Sequence, residues 1–115
     1  MKVFAVYGFK NSGKTAVVTS IIRELRRRGK TVAAIKQVAH ADFTIDTPGC
    51  DTYMFSKAGA RSIGVISEKE TSIIYKTKKS LIDMMPYFHA DYLVLEGFRQ
   101  ALVPKVVTAK NKEEL

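Results

Sequence analysis

The sequence predicts an α/β fold in three layers around a mainly parallel central sheet, short at its C-terminal end. Three observations carry that expectation. Residues 2–7 and 92–95 are short, apolar strand patterns with no polar face. A glycine-bounded loop joins the first of them to an amphipathic helical pattern, and a further strand pattern follows that helix directly. Strands that are apolar on both faces belong in sheets covered on both sides, which are typically parallel sheets with helical crossovers.

Each element has its own reason. Lys2 to Tyr7 reads as a buried strand. From Lys14 to Arg28 the residues Val17, Val18, Ile21, Ile22 and Leu25 fall on one helical face, and Arg23, Glu24, Arg26, Arg27 and Arg28 fill the remainder. Gly29 is placed to end this helix in a left-handed turn. Thr31 to Ile35 completes a β-α-β unit within the first 36 residues, for which the right-handed crossover rule puts the loop at the carboxyl end of the strand. Gln37 to Cys50 has neither period and carries turn formers such as Pro48-Gly49, and loops of this length are usually functional or mobile. Asp51 to Gly59 forms a short helix with Tyr53, Met54 and Ala58 along one side. Ser62 to Ile66 and Ser72 to Tyr75 pair as a hairpin across Ser67-Glu68-Lys69-Glu70-Thr71. Ser80 to His89 is a helix that Pro86 interrupts or bends. Tyr92 to Leu95 is an apolar strand ending in Glu96-Gly97, and Lys105 to Ala109 is the last strand before the charged tail Lys110 to Leu115. The connection from Gly97 to Pro104 reaches at most ~27 Å, which allows either an extended return to a parallel neighbour or an antiparallel pairing.

At 115 residues the chain is expected to form one domain, residues 1–115. No apolar run approaches the roughly 20 residues of a membrane span, and the N-terminal apolar run is too short for a secretory signal. Cys50 is the single cysteine, so neither an internal disulfide nor a cysteine-based zinc site is expected, and a reducing cytoplasm is the simplest location. The net charge of +8 and pI near 9.7 favour anionic partners. The basic clusters Arg23, Arg26, Arg27, Arg28, Lys30 and Lys76, Lys78, Lys79 lack interleaved aromatic residues, so nucleic acid is not the expected partner.

Gly8-Phe9-Lys10-Asn11-Ser12-Gly13-Lys14-Thr15 matches the Walker A pattern G-x-x-x-x-G-K-[ST] at every fixed position. Its glycines let the backbone curl so that successive N–H groups point at phosphate oxygens. The following helix aims its positive dipole end at the same place. Lys14 reaches the β and γ phosphates, and the Thr15 hydroxyl suits Mg²⁺. A strand precedes the match and an amphipathic helix follows, as a phosphate loop requires. The expected fold is therefore P-loop NTPase-like, with Gly8 through Thr15 and the next helical residue, Ala16, as the nucleotide-binding segment.

Tyr92-Leu93-Val94-Leu95-Glu96 has the form of a Walker B strand, four apolar residues and then a carboxylate that can hold Mg²⁺ or help orient an attacking water. The loop from Asp42 to Asp51 offers further carboxylates. Asp46 is the candidate for catalysis and metal binding there, against the alternative of a polar surface loop in which Asp51 simply N-caps the next helix. His40 has no assigned role, and Cys50 reads as a tolerated small residue. Asn111-Lys112-Glu113-Glu114 is similar to the Asn-Lys-x-Asp guanine reader of many GTPases but carries Glu at the fourth position.

Taken in order and spacing, the phosphate loop, Asp42-Phe43-x-Ile45-Asp46-x-Pro48-Gly49-x-Asp51, Ala58-Gly59-Ala60, Leu95-Glu96-Gly97-Phe98 and Pro104-Lys105 resemble the molybdopterin-guanine dinucleotide biosynthesis protein B (MobB) family. The resemblance implies a homodimeric GTP-binding protein with weak GTPase activity that assists molybdopterin guanylyltransferase, the enzyme attaching GMP to the molybdopterin cofactor. It further implies that Gly8, Asn11, Gly13, Lys14 and Thr15 hold the triphosphate, that Thr15 and Glu96 serve Mg²⁺, and that Asp46 lies close by. The sequence departs from the family pattern at Gln37, where a histidine usually follows the lysine, and at Cys50, where a lysine is usual. Family members also typically continue beyond the last strand. The chain is thus expected to be a short member, a domain of something longer, or truncated. Two other functions fit the same loop: a small-molecule kinase, for which Arg61 and Arg99 are the arginines outside the first helix, and a non-catalytic nucleotide-binding adaptor.

Overall fold

A computed structural model describes residues 1–114, and Leu115, the end of the charged tail, lies outside the described residues. The elements are β1 (Lys2–Gly8), α1 (Lys14–Arg27), β2 (Val32–Lys36), α2 (Asp51–Lys57), β3 (Ser62–Ile66), β4 (Thr71–Tyr75), α3 (Leu81–Met84), β5 (Tyr92–Glu96) and β6 (Lys105–Thr108), with 3₁₀ turns at Met85–Tyr87 and Lys112–Glu114. They fall into two compact units, one formed by Met1–Ala39 and the chain from Met85 on, the other by His40–Met84.

The first unit is built on a four-stranded sheet in the order β2-β5-β1-β6, parallel throughout. The apolar strands take its middle. Leu93, Val94 and Leu95 of β5, with Ala5 and Val6 of β1, have no exposed surface, so both faces of the central strands are covered. On one face α1 lays Val18 against Val6 and Val94, with Val17, Ile21, Ile22, Phe4 and Val32 packed around them. Full burial of a valine or leucine side chain stabilises by roughly 1.5–3 kcal/mol, so this seam fixes where α1 begins relative to the sheet.

The boundaries follow local chemistry. Gly29 turns left-handed at φ 80°. Its N–H donates to Arg26 O, and the Lys30 N–H reaches back to Leu25 O, the paired bonds of a Schellman closure. At the start of β2 the Thr31 N–H and hydroxyl both donate to Asp91 Oδ2, and the Asp91 N–H donates to Thr31 Oγ1, locking the entry of β2 to that of β5. The Thr31 donors, backbone first, hold the Asp91 carboxyl below its usual range.

The last strand is parallel to β1, pairing Ala5 with Lys105 through Gly8 with Thr108. No helix is needed for the return because the connection first tightens and then extends. The Ala101 N–H closes a turn on Phe98 O, the Lys105 ammonium ties to Ala101 O and Val103 O, and Pro104 O accepts from the Ala5 N–H at 2.9 Å.

In the second unit, β3 and β4 form an antiparallel hairpin with Ile63 buried, and α2 packs against β3. The alternative cap role for Asp51 is not realised: the cap position of α2 is Cys50, and Asp51 is the first helical residue, where its charge faces the positive dipole end. Pro86 interrupts the segment from Ser80 to His89, as expected: the α-helix is Leu81–Met84 and a 3₁₀ turn follows. Pro86 has no N–H for an α-helical bond and restricts Met85 before it, so the α-helix ends ahead of the proline.

Candidate phosphate-binding site

The carboxyl ends of β1, β2 and β5 open on one side of the parallel sheet, and the loop after β1 curls there before α1 begins. Its backbone turns left-handed twice, at Asn11 (φ 63°) and at Gly13 (φ 91°). Asparagine tolerates this conformation better than most residues and glycine adopts it freely. The Ser12 N–H donates to Phe9 O at 3.1 Å, closing the curl. Gly13 occupies the cap of α1 without any side-chain cap. The first amide of that helix with a backbone partner is Val17, bonded to Gly13 O, so the N–H groups of Lys14, Thr15 and Ala16 have no intrahelical acceptor. No acidic residue occupies the first turn of α1, which leaves the helix dipole unneutralised where an anion would sit.

Gly8 is required for a different reason. A Cβ there would collide with Thr108 Oγ1 and carbonyl O and lie 2.7 Å from Ser12 Oγ. The loop root is thus pressed against the end of β6, where Ser12 and Thr108 share a 2.5 Å hydroxyl hydrogen bond. Thr108 is buried.

A cavity of about 390 Å³ is lined by Lys10, Asn11, Gly13, Lys14, Thr15, Ala16, Lys36, Gln37, Glu96 and Gly97. Six of the residues expected from sequence in the loop and first helical turn therefore converge with Glu96 on one space. Gly8 and Phe9 line an adjoining cavity instead, and Ser12 is turned to Thr108. Across the first cavity the Thr15 hydroxyl donates to Glu96 Oε1 at 3.1 Å. Oxygen donors on a hydroxyl and a carboxylate, beside a space for phosphate oxygens and water, match what Mg²⁺ takes. Among the described residues there is no cluster of three His, Cys, Asp or Glu side chains that could bind a metal by themselves, so a metal here would have to draw its other ligands from elsewhere.

Asp46 belongs to the second unit and is engaged within it. Its buried carboxylate accepts from the Thr52 hydroxyl at 2.7 Å and from Cys50 Sγ at 3.4 Å through Oδ1, while Oδ2 faces the Lys76 ammonium at 3.2 Å as an ion pair. Oδ2 has no directed hydrogen-bond donor. Thr52 first, then Lys76 and Cys50, hold the Asp46 carboxyl below its ordinary value against the opposing effect of burial. Cys50, read from sequence as merely tolerated, is therefore a contact of Asp46. Asn111 Oδ1 accepts from the Glu113 N–H, which gives that asparagine a local turn partner.

Sequence reasoning assigns no site role to Lys36, Gln37 or Thr108. Gln37 follows β2 directly, its N–H bonded to Glu96 O, and its Oε1 accepts from the Phe98 N–H at 2.9 Å. The signal for it was positional: a polar side chain at the carboxyl end of a strand next to the one that ends in Glu96.

The fold and this arrangement define the class: an α/β protein of P-loop NTPase-like architecture with a parallel central sheet. The family model described as "Molybdopterin guanine dinucleotide synthesis protein B" (MobB) matches residues 3–115, and the chain belongs to that family. It is 32% identical over 120 positions to a Methanocaldococcus jannaschii protein named as a molybdopterin-guanine dinucleotide biosynthesis adapter, covering 98% of this chain and 49% of that one. A Bacillus subtilis protein similarly named is 30% identical, with 98% of this chain and 68% of the relative covered. The crystal structure of Bacillus subtilis MobB superposes with a TM-score of 0.83 at 28% identity, over 98% of this chain and 71% of that one. The chain thus spans about half the length of the archaeal relative. No helix among the described residues is long and apolar enough to cross a membrane.

Proposed function

We propose that this chain binds Mg²⁺·GTP in the cavity beside the Gly8–Ala16 loop, hydrolyses it slowly, and assists molybdopterin guanylyltransferase in making the guanine dinucleotide form of the molybdenum cofactor. The observation that carries the reading is the convergence of Lys14, the free first-turn amides of α1 and the Thr15–Glu96 pair on one cavity. Family membership supports the pathway, and the names of the relatives support an adapter role.

In this reading the loop amides and the Lys14 ammonium hold the triphosphate oxygens, with Lys10 and Lys36 adding positive charge from the rim. Thr15 and Glu96 hold Mg²⁺, which when bound would neutralise charge developing on the phosphates. Glu96 also orients water at the open side of the cavity. Asp46 is taken up within the second unit by Thr52 and Lys76. Exposed Val65, Ile66 and Ile73 on the hairpin support a homodimer, and the cytoplasm is the compartment where this pathway would be served.

The test combines binding and assistance. Calorimetric titration with GTP and ATP in Mg²⁺ is expected to favour GTP at least tenfold. Addition of the chain with GTP to molybdopterin and its guanylyltransferase is expected to raise dinucleotide formation. Equal affinity for ATP, or no effect on the transferase, would refute the respective half of the proposal.

A further inference from the structure

Next to the phosphate cavity lies a second cavity of about 340 Å³, lined entirely from the first unit. The two share Lys14, Gln37 and Gly97 as a common wall. Their characters differ. The first contains the Glu96 carboxylate, whereas the second is lined by no acidic residue. It presents three aromatic residues, Tyr7, Phe9 and Phe98, and two cations, Lys14 and Arg99. Neither Lys14 nor Arg99 forms an ion pair among the described residues.

The wall carrying Phe98 and Arg99 is held in an uncommon shape. Phe98 has φ 57°, a left-handed conformation that is strained for a bulky residue and persists only where its surroundings enforce it. The enforcing contacts are the Phe98 N–H to Gln37 Oε1 bond, the turn closed by the Ala101 N–H on Phe98 O, and Gly97 at φ 94°. A Cβ on Gly97 would come within 3.1 Å of Gln37 Cβ, so the turn and Gln37 are in close contact. Because Gln37 Oε1 is bound to Phe98, the side-chain NH₂ is the group left to donate elsewhere.

We propose that this second cavity binds a small, planar, aromatic monophosphate at the same time as the phosphate cavity holds its triphosphate. Aromatic residues offer flat faces for a ring system, and a guanidinium forks onto a phosphate through two parallel hydrogen bonds. The volume is at the small end of ligand pockets, roughly 300–1,000 Å³, which suits one fused ring with one phosphate. The proposal rests on the phosphate-cavity reading in one respect: the triphosphate engages Lys14, and Arg99 is then the cation available to the second ligand.

The probe is 1-naphthyl phosphate, titrated calorimetrically into the protein with and without Mg²⁺ and a saturating non-hydrolysable GTP analogue, with the analogue titrated separately. The expected result is probe binding in both conditions, weakened about tenfold or more by Arg99→Gln and abolished by Val107→Trp, which fills the cavity from a half-exposed position on β6. Neither variant changes affinity for the analogue. Competition between probe and analogue would place the probe in the first cavity and overturn the proposal. So would probe affinity unmoved by both variants, or inorganic phosphate binding as tightly as the aromatic probe. If the probe fails while the analogue binds, the second site is wrong and the phosphate reading stands. If the analogue fails while Arg99→Gln still weakens the probe, the phosphate reading is wrong and the aromatic site stands.

Discussion

The Thr15 hydroxyl donates to Glu96 Oε1 at 3.1 Å, joining residues 81 positions apart in the chain. This single contact brings the end of the phosphate loop to the end of β5, and it occupies the place where a hydroxyl and a carboxylate would share Mg²⁺. Replacing either partner is therefore expected to act through the metal. Thr15→Val or Glu96→Gln should lower GTP affinity about tenfold or more when Mg²⁺ is present, and much less in EDTA, because the loop amides and Lys14 are untouched. Titrations in the two conditions check it, and an equal loss in both would remove the metal role.

Gly8 tests the packing of the loop root. Gly8→Ala forces a methyl group into Thr108 and Ser12, and overpacking of this kind typically costs about 1–3 kcal/mol. The urea midpoint should fall accordingly. Ser12→Ala, which removes only the 2.5 Å bond to Thr108, should cost about 1 kcal/mol. A Gly8→Ala variant as stable as the parent would mean that β6 does not press on the loop.

Much of this was legible in the sequence. The Walker-type pattern, the two apolar strands and Gly29 each follow from a local rule, and the corresponding elements form within a residue or two of the expected bounds. Glu96 could be placed because a strand with no polar residue must end somewhere, and its first carboxylate marks that end. What escaped depends on tertiary placement. The direction of β6 was open because its short connection satisfies either pairing, and only the Pro104 and Lys105 contacts decide it. Gln37 and Thr108 matter through neighbours 61 and 96 residues away, and no local period reveals such partners. Asp51 does not take the alternative cap role because Cys50 fills the cap without a side-chain bond and the helix begins at Asp51.

Asp46 gives a pH prediction with a definite sign. Its folded-state carboxyl value lies below the ordinary one, so folding favours the ionised form. The stability it contributes is fully present above the unfolded value of about 4 and is lost as pH falls through the lower folded value. Acid unfolding monitored below pH 4 should be shallower in Asp46→Asn than in the parent, and the variant should already be less stable at pH 7. Lys76→Met should destabilise as well, since it leaves a buried carboxylate without its counter-charge. An unchanged acid profile in Asp46→Asn would contradict the pairing.

Gln37 makes a separate prediction. Gln37→Ala removes the acceptor that holds the Phe98 N–H, which should cost about 1 kcal/mol of stability and loosen the Phe98–Arg99 turn. Hydrogen exchange at Phe98 should accelerate in the variant while exchange in the central strand β5 stays slow. Protection at Phe98 equal to the parent would show that Gln37 does not hold it.

The most direct measurement is a calorimetric titration of Mg²⁺·GTP into the parent and into Lys14→Ala, with circular dichroism to verify that both are folded. Lys14 lines the cavity and forms no ion pair among the described residues, so its loss should not disturb the fold but should remove the central charge for the triphosphate. The predicted result is one site on the parent and binding weakened beyond detection in the variant. Normal GTP binding by folded Lys14→Ala, or no GTP binding by the parent, would contradict the assignment of the Gly8–Ala16 loop as a phosphate site.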